Sequence, residues 1–166
     1  MADLTIALAG NPNAGKTTIF NALTGLHQHT GNWPGKTVEK KEGEIEHGKL
    51  TINIVDLPGT YSLTAYSPEE IIARDFIIEE RPDVVINVVD ATNLERNLYL
   101  TVQILELDVP VVLALNMTDD LKKDGASIKA DELSNLLGDI PVIFTTANKG
   151  KGISELISAA VKSAHK

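Results

Sequence analysis

A three-layer α/β fold, with helices on both faces of a six-stranded mixed sheet, is what the 166-residue sequence predicts. Three observations carry that expectation. Short apolar runs alternate with helix-period segments along the chain. Two of the runs, Asp83-Val-Val-Ile-Asn-Val-Val89 and Val109-Pro-Val-Val-Leu-Ala-Leu115, are apolar almost throughout, as in parallel strands covered on both faces. The first run, Leu4 to Ala9, passes directly into Gly10-Asn-Pro-Asn-Ala-Gly15-Lys16-Thr17, a glycine-rich turn set between a strand and a helix.

Taken in order, strands are expected at 4–9, 38–46, 50–55, 83–89, 110–116 and 141–145. Lys16 to Leu23 reads as the first helix, with Ile19, Phe20 and Leu23 on one side and Gly25 ending it. Glu39, Lys40, Lys41, Glu42 and Glu44 load the second strand with charge, which suits a protected sheet edge. Leu50, Ile52 and Ile54 alternate with Thr51 and Asn53, and a turn at His47-Gly48 would pair these two strands antiparallel. The other strands are expected to run parallel. Ser67-Pro68-Glu69-Glu70 supplies an N-cap, a proline at the first helical position and a capping-box glutamate. Leu94, Leu98, Val102 and Leu105 recur at helical spacing, as do Ile153, Leu156, Ile157, Ala160, Val161 and Ala164 in a final helix. No repeat or linker interrupts the pattern, so residues 1–166 read as one domain.

Fifteen Lys plus Arg against 23 Asp plus Glu leave a net charge of −8, a poor surface for a nucleic-acid backbone. The lack of cysteine excludes disulfides and thiolate metal sites and fits a reducing compartment. No apolar run approaches the ~18–20 residues that span a membrane. The N-terminus lacks a basic-then-apolar leader pattern. The chain itself is expected to be soluble and cytosolic.

The glycine-rich turn is an anion cradle. Gly10 and Gly15 let the backbone close around phosphates, its N–H groups point inward, and the helix dipole favours negative charge. Lys16 is placed to reach the β- and γ-phosphates and the Thr17 hydroxyl to ligate Mg²⁺, with Asn11, Pro12, Asn13, Ala14 and Thr18 completing the contact. A nucleoside triphosphate is therefore the expected ligand. Asn116-Met117-Thr118-Asp119 follows the strand 110–115 and points to guanine. A carboxylate at Asp119 accepts from guanine N1–H and N2–H₂ but faces a lone pair at adenine N1. The Asn116 amide can bond the base edge and tie its loop to the P-loop. After the last strand come Thr145, Thr146, Ala147 and Asn148, and the Ala147 N–H is expected to reach guanine O6. Asp56-Leu57-Pro58-Gly59 ends the strand 50–55, where Asp56 can hold a water of the Mg²⁺ shell and the Gly59 N–H can bond the γ-phosphate.

In this order and spacing the segments resemble the GTPase domain of the Ras-like and translation-factor superclass over the whole chain. Four of them narrow the resemblance: Gly10 to Thr17, Gly31-Asn-Trp-Pro-Gly-Lys-Thr-Val-Glu39, Asp56-Leu-Pro-Gly-Thr-Tyr-Ser-Leu63 and Asn116 to Asp119. Together they look like the N-terminal G domain of the ferrous iron transport protein B family of bacterial and archaeal membrane transporters. The resemblance implies a P-loop GTPase fold and a slow, Mg²⁺-dependent GTPase switch that regulates or drives ferrous iron uptake. It also implies GTP and GDP as ligands, and helical and transmembrane regions elsewhere in a parent chain. The domain would then work at the cytoplasmic face of the cell membrane. A dimer through the switch regions is a further expectation; a nucleic-acid partner is not. The alternative is a soluble ribosome-assembly or RNA-modification GTPase, since those also carry Pro-Asn-Ala-Gly-Lys loops.

By the same resemblance, Thr37 completes the Mg²⁺ shell when the 27–39 loop closes over the γ-phosphate, with Gly35 and Lys36 against the nucleotide. Lys16, Thr37 and Gly59 would then carry catalysis. Ras-like enzymes place a glutamine just after Asp-x-x-Gly, where this chain has Thr60, which is too short for that geometry; no base is assigned. Asn13 resembles the P-loop asparagine of potassium-activated GTPases and, with loop carbonyls near Asn32 and Trp33, would hold K⁺; otherwise it only caps the turn. None of the arginines, Arg74, Arg81 and Arg96, is expected near the P-loop. His27 and His29 read as solvated loop histidines, and no iron ligand is assigned.

Overall fold

The computed structural model describes residues 2–165. Its strands are β1 (Leu4–Gly10), β2 (Gln28–Asn32), β3 (Glu39–His47), β4 (Leu50–Asp56), β5 (Val84–Asp90), β6 (Val111–Asn116) and β7 (Val142–Phe144). They form a single sheet in the order β2-β3-β4-β1-β5-β6-β7. The five strands from β4 to β7 in that order are parallel, as their apolar runs imply. β3 and β4 form the expected antiparallel hairpin through a tight turn, with Gly48 at φ 61 and His47 opposite Leu50.

The sheet has seven strands rather than six. β2 pairs antiparallel with β3, His29 facing Glu42 and Thr30 facing Lys41, so the charged strand is not the edge. Gln28-His29-Thr30-Gly31-Asn32 contains no apolar residue and is almost wholly exposed. Its backbone ladder holds it in place, and hydrophobic periodicity cannot detect such a strand.

The helices are α1 (Lys16–Thr24), α2 (Pro68–Asp75), α3 (Leu94–Leu105), α4 (Thr118–Lys123), α5 (Ala130–Leu136) and α6 (Ile153–Ala164). α1 ends at Gly25, whose N–H donates to Asn21 O at 2.9 Å. α2 starts with the expected N-cap, Ser67 Oγ accepting from Glu70 N at 3.1 Å, but the Glu70 carboxylate accepts from Thr64 and Ser62 instead of closing a capping box; the helix runs on into a π-helical turn at Phe76–Glu80. α4 and α5 carry no stripe strong enough to foretell them. α3 departs from its expected face: Leu94, Leu98 and Leu105 are half-buried, whereas Val102 is 47% exposed. The buried positions are Asn97, Leu100, Thr101 and Ile104. Thr101 donates to Asn87 Oδ1 and Asn87 Nδ2 donates to Ala9 O, so a satisfied polar chain ties α3 through β5 to β1.

Two apolar layers cover the sheet. On one face Ile19, Phe20, Leu156 and Ile157 from α1 and α6 pack on Ile6, Leu8, Ile54 and Ile86. On the other, Ile72, Ile77, Leu100 and Ile104 pack on Ala7, Val55 and Val85. Each fully buried Leu, Ile or Phe side chain contributes about 1.5–3 kcal/mol. The parallel strands all point their C-terminal ends to one rim, where the loops after β1, β4, β5, β6 and β7 converge. No helix among the described residues is long and apolar enough to cross a membrane.

Candidate functional site

The loop after β1 is shaped by two glycines. A Cβ on Gly10 would come within 2.6 Å of Val88 O on the neighbouring strand. Gly15 sits at φ 91, and a Cβ there would collide with the Asn116 amide. That amide is a hub: Asn116 Nδ2 donates to Ala14 O at 3.0 Å, and Asn116 Oδ1 accepts from Thr145 Oγ1 and from Ala147 N, each at 3.0 Å. One buried side chain thus locks the P-loop to the loops after β6 and β7. The Ala147 N–H, expected to face guanine O6, is here engaged with Asn116. The reason is local, because residues Ala147–Lys149 coil as a 3-10 turn onto the Asn116 carbonyl.

Met117 adopts φ 63 and turns the chain so that α4 begins at Thr118, whose hydroxyl donates to Thr145 O at 3.0 Å. Gly15, Thr18, Asn116, Met117, Asp119, Thr146, Ala147 and Asn148, all anticipated, line one cleft of about 240 Å³. Lys149 joins them unanticipated. Its ammonium donates to Asp119 Oδ2 at 2.7 Å, with Lys151 at 3.8 Å. The Lys149 hydrogen bond, with the nearby positive charges, holds the Asp119 carboxyl below its ordinary value, and Asp119 raises Lys149 in return. An ionised, acceptor-only carboxylate therefore faces the cleft. A basic residue directly after the 145–148 motif was the available signal.

At the other end of the P-loop, Lys16 from the start of α1 donates to Asp56 Oδ1 at the end of β4, in a buried ion pair. Burial pushes the Asp56 carboxyl above its ordinary value and outweighs the attraction of Lys16. The segment after Asp56 lies on the P-loop: Leu57 N donates to Leu8 O and Thr60 N to Gly10 O, both at 3.0 Å. A Cβ on Gly59 would stand 3.0 Å from Pro12 Cα, so only glycine fits without displacement. Thr17, Pro12 and Asn13 are exposed around this end.

Gly35, Lys36 and Thr37 are exposed, and Lys36 N donates to Trp33 O at 2.9 Å. Their segment is held by Trp33, which is 7% exposed and packs edge-on against Phe76 at 5.7 Å, with the Lys40 ammonium 4.8 Å over its ring. Trp33 is thus a core residue on the α2 side. Arg96 corrects the expectation that no arginine comes near the P-loop: from the first turn of α3 it lines a small cavity with Asn11, Asn13 and Tyr61. His27 and His29 join no metal-binding group, and none of three or more His, Cys, Asp or Glu exists among the described residues.

The sequence profile of one family, Ferrous iron transport protein B, matches residues 4–160. The chain belongs to that family. It is 53% identical over 159 residues to the Fe(2+) transport protein A/Fe(2+) transporter FeoB fusion protein of Porphyromonas gingivalis, covering 95% of this chain and 19% of that protein. The FeoB G-domain of Methanococcus jannaschii superposes with a TM-score of 0.88 at 51% identity, covering all of both chains. The cytosolic domain of the T. maritima FeoB iron transporter, in a GDP form, superposes with a TM-score of 0.95 at 50% identity, over 98% of this chain and 64% of that one. The chain spans about a fifth of the length of the curated FeoB relatives it matches. The FeoB relationship favours the transporter reading over a soluble ribosome-assembly or RNA-modification GTPase.

Proposed function

We propose that residues 1–166 form a single G domain that binds GTP and GDP, hydrolyses GTP slowly, and acts as the switch of a ferrous iron transporter. The observation that carries the reading is the cleft in which an ionised Asp119 faces the space beside Asn116 and Gly15, the residue before Lys16. The GDP form of the T. maritima relative supports it.

In this account Asp119 accepts from guanine N1–H and N2–H₂, and the second N–H of Asn116 Nδ2 meets the base edge. The loop from Gly10 to Thr18 wraps the phosphates and Lys16 exchanges Asp56 for phosphate oxygens. The hydroxyl of Thr17 and the carboxylate of Asp56 are hard oxygen donors beside one loop, a set that fits Mg²⁺. That ion, when bound, neutralises charge on the β- and γ-phosphate oxygens. Thr37 joins the set when the 27–39 segment closes, bringing Gly35 and Lys36 against the nucleotide, while Leu57, Pro58 and Gly59 hold the γ-phosphate edge. Asn13 holds K⁺. The partners are the helical and transmembrane regions of the parent chain at the cytoplasmic membrane face, and a second copy through the switch regions, with no nucleic acid.

The test is competition against fluorescent GDP. GTP and GDP should displace the probe at least about a hundredfold better than ATP and ADP, the discrimination a site built to hydrogen-bond one base supplies. Equal displacement by adenine nucleotides contradicts the assignment.

A further inference from the structure

The segment that follows Asp56 is gripped by one face of α3. Arg96 and Gln103, two turns apart on that helix, reach alternate residues of the segment. The Arg96 guanidinium lies 4.6 Å from the centre of the Tyr61 ring, and Gln103 Oε1 accepts from Leu63 N at 2.6 Å. Among the described residues Arg96 makes no hydrogen bond or ion pair, so the ring is its only partner there. α3 is itself tied to β5: Asn97 Oδ1 accepts from Asp90 N at 3.1 Å, and Thr101 donates to Asn87 Oδ1 in the core.

Between α3, Tyr61 and the P-loop lies a cavity of about 90 Å³, whose lining includes Asn11, Asn13, Asp90, Asn93 and Arg96. Asn11 is 4% exposed, and its Oδ1 is buried without a hydrogen-bond partner. A buried acceptor left unpaired is costly, and Asn11 lines the same cavity as the Arg96 guanidinium. Arg96 therefore braces the Tyr61 ring, while Asn11 and Asn13 of the P-loop line the same cavity. Tyr61 is next in sequence to Thr60, whose N–H donates to Gly10 O, and two residues from Gly59, which touches Pro12.

We propose that Arg96 is a positioning residue for GTP hydrolysis: acting through the Tyr61 ring, and with Gln103 on Leu63, it fixes Gly59 and Thr60 against the P-loop. The guanidinium does not touch the nucleotide. The inference rests on the GTPase reading above.

The experiment is steady-state and single-turnover hydrolysis by the 166-residue chain, with affinity for fluorescent GDP measured beside it. Arg96→Ala should lower kcat about five-fold, the scale of a surface cation–π contact, and leave KM and GDP affinity within about twofold. Tyr61→Ala should match it, and the double variant should fall no further. Tyr61→Phe keeps the ring and should hydrolyse like the wild type, and Arg96→Lys keeps a cation and should retain about half the rate. Amide exchange at residues 59–63 should quicken in Arg96→Ala while β1 is unchanged. A kcat within about twofold of wild type, a loss carried by KM, or losses that multiply in the double variant would each overturn the proposal. A wild type that binds GDP but never turns over GTP contradicts the hydrolysis reading itself, a failure visible before any variant is compared.

Discussion

The ammonium of Lys16 and the carboxylate of Asp56 pair inside the protein, with 7% and 8% of their side chains exposed. Each sits at the end of a different element, α1 and β4, and each is a group that phosphate and metal chemistry would recruit. Removing one partner leaves a buried charge alone, which costs about 3–5 kcal/mol. Lys16→Ala should therefore destabilise the fold by that amount in urea denaturation at pH 8. Its Asp56 carboxyl, already raised by burial, should rise further, so the native state holds that proton more tightly than the unfolded chain. Such a group favours the fold at low pH and loses that contribution as pH rises through its native value, so the deficit should shrink at pH near 5. Stability equal to wild type at pH 8 contradicts this.

Base selectivity should rest on Asp119. Asp119→Asn should weaken GTP and GDP by about 1–3 kcal/mol and favour xanthine nucleotides, whose C2 oxygen suits an amide donor. Unchanged GDP affinity in a competition titration would remove Asp119 from base recognition.

Selectivity should also resist acid. Lys149 holds Asp119 below its ordinary value of 3.8, so the ionised form persists as pH falls and is lost only on passing through that lowered value. The ratio of GDP to ADP affinity, in which phosphate titration cancels, should stay within about twofold from pH 7.5 to 5. In Lys149→Ala the ratio should begin to fall at higher pH than in wild type.

Trp33, the sole tryptophan, reports on its own segment. It is buried against Phe76, while Thr37, four residues on, is exposed. If Thr37 joins Mg²⁺ only in the triphosphate state, a non-hydrolysable GTP analogue should shift the tryptophan emission to the red and protect residues 35–38 from hydrogen exchange. Identical spectra and protection with GDP and with the analogue would count against a switch.

Much of this arrangement is legible in the residues because it is local. The P-loop has fixed positions, β5 and β6 are apolar almost throughout, and Ser67 to Glu70 carries its own cap. What escaped is either non-local or polar. Gln28 to Asn32 pairs by backbone alone. The face of α3 is set by Thr101 and Asn97 beside Leu100 and Ile104, and the hydrogen bonds of the polar pair to Asn87 and to the backbone at Asp90 turn it away from the stripe of Leu94, Leu98, Val102 and Leu105. Arg96 reaches the cavity beside Asn13, and Lys149 reaches Asp119, only because the strand ends share a rim.

The central claim, that this site binds GTP and cleaves it, is tested most directly by single-turnover release of phosphate from bound GTP. The reaction is run with and without Mg²⁺, and in K⁺ against Na⁺ at equal ionic strength. The account predicts about one phosphate per chain, dependent on Mg²⁺ and on Lys16, and faster in K⁺ by about 30- to 1,000-fold, an advantage that Asn13→Ala abolishes. Equal rates in the two salts would remove K⁺ from Asn13. GTP that stays intact on the protein in Mg²⁺ and K⁺ would contradict the account as a whole.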